Sequence, residues 1–121
     1  MAEEFLTVLE TRCMSNRYYI NLLTFNDSNK QRETLLQAAS NEQARCLIEI
    51  VGNLVYGNIE SNETELKQLR KKTDLLIKIF HHKTTSLDQK RKLLILNSKT
   101  IFRILDISRD FIEEHLSFNN N

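Results

Sequence analysis

The 121-residue sequence predicts an all-α fold, a compact bundle of about five or six short helices, and three observations lead there. Apolar residues recur three and four positions apart along nearly the whole chain, the repeat of a helix with one buried face. Proline is absent and glycine occurs only at Gly52 and Gly57, which argues against a β-sandwich, a glycine-rich phosphate loop or a long linker. Helix-start patterns punctuate the chain at "SNEQ", "NETE" and "SLDQ". With 40% hydrophobic and 27% charged residues, the composition is that of a globular domain.

Each element follows from local pattern. "EEFLTVLETRCM" sets Phe5, Leu6, Leu9 and Cys13 on one face, and "RYYINLLTF" continues through Tyr19, Ile20, Leu23 and Phe25 to the turn "NDSN". A short helix over "KQRETLLQAA" follows. Ser40 and Gln43 form a capping box that opens a helix carrying Ala44, Leu47, Ile48, Val51 and Val55, closed near Gly57 by a residue free to turn left-handed. Gly52 lies inside this helix, where glycine costs roughly 1 kcal/mol against alanine, so it reads as a packing residue. Asn62 and Glu65 cap a further helix whose seam is Leu66, Leu69, Thr73, Leu76 and Phe80. Ser86 and Gln89 open a short helix over "LDQKRKLLIL", "NS" at 97–98 breaks it, and a last helix is expected over about Lys99 to Leu116. Residues 1–116 thus form a single helical domain, and the polar tail 117–121 has no pattern and is expected to be disordered.

Charge is segregated beneath a formal net of +1. Residues 67–103 hold eleven Lys/Arg against two acids, residues 1–66 five against ten, and residues 104–121 one against four. Lys67, Arg70, Lys71 and Lys78 fall within about 100° on a helix, opposite the Leu69–Phe80 seam. Lys90, Arg91 and Lys92 open the next helix, and Lys99 and Arg103 project from the last. A lysine-rich face can be merely solvated. Segregation on this scale raises, beside that reading, a polyanion as partner or self-association with the acidic segments of another copy. No aromatics interleave these cations, and no zinc-finger spacing or glycine-containing helix-turn-helix turn is present. Nucleic acid would therefore be met through its phosphates.

Little points to catalysis. His81 and His82 diverge by about 100° on a helix and cannot readily share a metal. His115 suits a helix C-terminus, and the pairs Glu3–Glu4 and Glu113–Glu114 read as solvated turns. No nucleophile-elbow, phosphate-loop or zinc-protease motif occurs, so no enzyme, metal or cofactor is expected. Cys13 and Cys46 lack CxxC spacing and are expected to be reduced core thiols, which suits a reducing compartment. No apolar run approaches the ~20 residues that span a bilayer, and the acidic N-terminus is unlike a signal peptide.

Two blocks resemble a known family. "EIVGNLVYGNI" carries Glu49, Gly52, Asn53, Gly57 and Asn58, and "SLDQKRKLL" carries Ser86, Leu87, Lys90, Arg91, Lys92, Leu93 and Leu94, with the basic "LRKKTDLLIKI" between them. This arrangement, over about residues 35–96, resembles small helical proteins encoded by Maverick/Polinton-type elements and related double-stranded DNA viruses of invertebrates. The chain departs from the family afterwards: an amphipathic, acidic "NSKTIFRILDISRDFIEEHL" stands where the family has a Gly-Gly-Phe-Leu turn and an apolar, proline-containing tail. The resemblance implies a structural protein of a virus or mobile element and brings no catalytic residues with it.

The expected function is binding of nucleic-acid phosphates through the basic segment, self-association, or both. An adaptor-type bundle that docks a viral or host protein is the alternative. No membrane or small-molecule substrate is expected as partner. The expected location is the host nucleus or cytoplasm, or the interior of a virion, rather than outside the cell.

Overall fold

The computed structural model describes residues 16–55, 74, 78, 80 and 82–116, the last two through their backbone only. Six helices, α1 Arg17–Phe25, α2 Asn29–Gln37, α3 Asn41–Val55, α4 Leu87–Leu96, α5 Ser98–Ile107 and α6 Arg109–Leu116, make an all-α bundle, with no strand among the described residues. Asp74, Lys78 and Phe80 are also helical. Helix α1 packs on α2, α5 and α6, and α3 packs on α4 and α5.

Caps set the helix starts. Ser40 and Gln43 exchange bonds as anticipated: the Ser40 N–H donates to Gln43 Oε1 (2.9 Å) and the Gln43 N–H to Ser40 Oγ (3.1 Å). Ser86 and Gln89 do the same at 3.2 Å in each direction. Ser28 opens α2 with half such a box. Its Oγ accepts from the Gln31 N–H (3.3 Å), while Gln31 Oε1 turns away to accept from Asn26 Nδ2 (2.9 Å).

Helix α3 is the centre of the core. Ala44, Leu47, Ile48, Val51 and Val55 are buried as their spacing requires, and so are Cys46, Ile50, Gly52 and Leu54, so α3 is enclosed on most of its circumference. Phe80 joins Leu47, Ile48 and Val51 in the same cluster, with Ile101, Phe102, Ile104 and Leu105 from α5 and Ile112 from α6. The seam residues Leu66, Leu69, Thr73 and Leu76, the Asn62–Glu65 cap and the 117–121 tail lie outside the described residues.

Two expectations are corrected. The last helix is two helices, because Ser108 (φ −99°, ψ 12°) turns the chain between α5 and α6 while its N–H still bonds the Ile104 and Leu105 carbonyls. The turn puts Ile112 in the core and lets Arg109 reach back to Asp27 (3.2 Å). The second correction concerns Cys46, which is buried as expected but is disulfide-bonded rather than reduced. Helical periodicity locates a thiol in the core without reporting which sulfur lies beside it. Cys13, the chain's other cysteine, lies outside the described residues. The reducing-compartment expectation rested on free thiols and loses that support.

Tyr19 ties α1 to α2. Its hydroxyl donates to the Leu35 carbonyl (3.1 Å), one of the last carbonyls of α2, which have no partner within the helix. Burial pushes the Tyr19 pKa up to about 12, against a smaller downward pull from the Arg91 guanidinium. Because the folded value lies above the unfolded one, this contribution to stability is complete below pH ~10 and is lost as pH rises towards ~12. Tyr19→Phe is expected to cost about 1 kcal/mol at neutral pH and to flatten the fall in stability above pH 10. Denaturant titrations of both proteins from pH 8 to 12 measure it; parallel alkaline profiles would contradict the assignment.

Candidate nucleic-acid interface

The basic segment does not present its charges as one block. Lys90, Arg91 and Lys92 are consecutive, so they leave α4 about 100° apart and meet different surroundings. Lys90 is half-buried and borders an open cleft of about 330 Å³, shared with Arg45, Glu49, Phe80 and Leu87. Arg91 folds back on the bundle, where Nη1 donates to Asn41 Oδ1 (3.3 Å) at the first residue of α3. Only Lys92 of the three is exposed. Lys78 is exposed too, but its ammonium pairs with Asp74 one turn earlier (3.2 Å), which offsets its charge.

Lys99 and Arg103 are exposed one turn apart on α5. Lys92, also exposed, lies on α4, one helical turn before the corner that joins the two helices. Asn97 makes that corner. At φ −107°, ψ 25° it ends α4 and precedes α5, its Nδ2 donating to the Leu93 carbonyl (2.9 Å) and its own carbonyl accepting from the Ile101 N–H (3.1 Å). At the corner the last two residues of α4, Ile95 and Leu96, are 38% and 79% exposed. The candidate site is therefore an exposed aliphatic tip at the corner with exposed cations before and after it along the chain.

That tip escaped the sequence reading, although its signal was present. Leu93 to Leu96 are four apolar residues in a row. Consecutive residues on a helix point in directions about 100° apart, so one side cannot bury them all. Leu94 goes into the core and Leu93 packs against it, leaving the next two outside.

Other predicted site residues are structural. Asn53 Nδ2 donates to the Glu49 carbonyl one turn back in α3 (2.8 Å), and Gly52 is buried between them in sequence. Lys67, Arg70, Lys71, Gly57 and Asn58 lie outside the described residues. His82 is exposed, its Nδ1 lying 2.6 Å from Thr84 Oγ1. No group of three His, Cys, Asp or Glu that could hold a metal occurs among the described residues. Nor is any helix among them long and apolar enough to cross a membrane.

The strongest charge cluster was not anticipated at all. Arg32 of α2 is buried and all five of its N–H donors have acceptors. Nε donates to the Leu23 carbonyl (2.7 Å) and Nη2 to that of Thr24 (3.3 Å), capping the C-terminus of α1. Nη2 also reaches Asp106 Oδ1 (2.6 Å), Nη1 reaches Asp106 Oδ2 (3.4 Å) and Asn29 Oδ1 (3.3 Å), and the guanidinium lies 4.8 Å from the Phe102 ring centroid. Arg109 brings a second cation to Asp106, as an ion pair at 3.3 Å. Every donor of Arg32 is committed inside the fold, so this cluster joins helices and leaves no N–H to bind a ligand.

Comparison of the chain with protein-family models, curated proteins and solved structures finds no match.

Proposed function

We propose that the chain is a non-enzymatic helical protein of viral or mobile-element type that binds nucleic-acid phosphates through the exposed cations of α4 and α5. The observation that carries the binding reading is that Lys92, Lys99 and Arg103, on two helices separated by the single residue Asn97, are all exposed in a chain whose net charge is only +1. Three exposed acids, Asp110, Glu113 and Glu114, lie on α6, whereas α4 carries one, Asp88, and the acid of α5, Asp106, is half-buried against Arg32. Lysine is a point charge without base-reading geometry, so the contact is with backbone phosphate and is indifferent to sequence. The viral or mobile-element origin rests on the resemblance over residues 35–96 alone.

The triple variant Lys92→Gln, Lys99→Gln, Arg103→Gln tests it. On duplex DNA each neutralised phosphate contributes about −0.9 to the slope of log K against log salt, so the variant's slope should be shallower than the parent's by about 2.7. Exposed charges contribute little to stability, and the melting temperature should be unchanged. A variant that binds with the parent's slope would remove these residues from the interface.

A second reading, docking of a partner helix, is favoured by a different observation. Tyr18 and Leu22, one turn apart on α1, are 62% and 37% exposed beside an open groove of about 370 Å³ floored by Leu35 and Ala38 of the α2 end.

A further inference from the structure

From the exposed leucine at the α4–α5 corner, between Lys92 and Lys99 along the chain, we infer that Leu96, supported by Ile95, is a wedge that enters between base steps of duplex DNA while Lys92, Lys99 and Arg103 hold the flanking phosphates. This rests on the phosphate-binding reading and specifies the form of nucleic acid and the mode of contact. Leu96 ends α4 at the Asn97 corner and is 79% exposed, the most exposed large apolar side chain described. Lys92 precedes it by one helical turn, and Lys99 and Arg103 follow at the first and second turns of α5. An aliphatic tip with exposed cations before and after it in the chain matches proteins that kink duplexes from the minor groove, where Leu, Ile or Met unstacks a base step and cations neutralise the phosphates on either side. The scale also fits. Lys92 to Arg103 spans at most ~16 Å of helix, about five base-pair steps at 3.4 Å each.

Two other occupants fit less well. A single strand would be held by stacking on aromatic side chains, and Lys92, Ile95, Leu96, Lys99 and Arg103 include none. An anionic membrane surface needs a broad apolar face along a helix, whereas here two aliphatic side chains stand at a corner between ten-residue helices.

The wedge makes bending separable from binding. A short random-sequence duplex labelled at both ends is titrated with the full chain, binding being read by anisotropy and bending by energy transfer between the ends. The parent should bind and raise the transfer. Leu96→Ala removes an exposed side chain, so it should fold as the parent does, keep the parent's salt slope, bind roughly 5–10-fold more weakly and lose most of the bend. Binding by the parent with no bend, or a bend that Leu96→Ala retains, overturns the wedge and leaves phosphate binding standing. Absence of any DNA binding at low salt overturns both. Sedimentation with vesicles of phosphatidylglycerol is run in parallel, and Leu96-dependent capture by vesicles in place of DNA also overturns the proposal.

Discussion

Replacing Arg32 with methionine is expected to cost about 3–5 kcal/mol, the cost typical of breaking a buried ion pair from one side. The substitution keeps much of the side chain's volume but strips acceptors on both sides. The Leu23 and Thr24 carbonyls lose their capping donors, and Asp106 keeps only Arg109. For a domain whose total stability is about 5–15 kcal/mol, that is a large fraction. The melting temperature should fall by roughly 10–20 °C, and α1 should lose hydrogen-exchange protection first at its C-terminal end. Asp106→Asn should cost less, because that carboxylate is 39% exposed and partly screened by solvent. A melting temperature for Arg32→Met within about 3 °C of the parent's would mean that the cluster is not what joins α1, α2 and α5.

Reduction of the Cys46 disulfide should have the next largest effect. Native disulfides in small domains typically contribute about 2–4 kcal/mol, whether the mechanism is the restricted unfolded chain or native-state enthalpy. Adding dithiothreitol, or making Cys46→Ala, should lower the melting temperature by roughly 8–16 °C. The two treatments should not add, since they remove the same bond. Cys46 is fully buried in the central helix, so alanine also removes packed volume and the variant should be slightly the worse of the two. Alkylation of the unfolded, unreduced chain followed by mass spectrometry reads the bond directly. Two modified thiols would contradict it.

Much of the fold was legible because its helices are specified locally. The Ser40–Gln43 and Ser86–Gln89 boxes lie at the residues their spacing indicated, and Leu47, Ile48, Val51 and Phe80 share one core. What stayed hidden depends on neighbours that sequence spacing does not reveal. Arg32 sits in the polar run "KQRE" and nothing local distinguishes it from Lys30; its burial is decided by Asp106 and Phe102, far along the chain. Ser108 is a residue that disfavours helix interiors, and that weak signal was overridden by the apolar repeat on either side. In the basic segment, sequence gave the charges but not their directions. Arg91 turns inward to Asn41 and Lys78 pairs with Asp74, while Lys92, Lys99 and Arg103 are the exposed cations of α4 and α5.

The salt dependence of DNA binding by the unaltered chain tests phosphate recognition most directly. Affinity for duplexes of two unrelated sequences is measured by anisotropy over a range of salt from low to physiological. Binding should be equal for the two sequences and weaken with a slope of log K against log salt of about −3 to −5, from the three described cations and up to two further phosphate contacts. No binding at the lowest salt, or binding that is insensitive to salt, would contradict it.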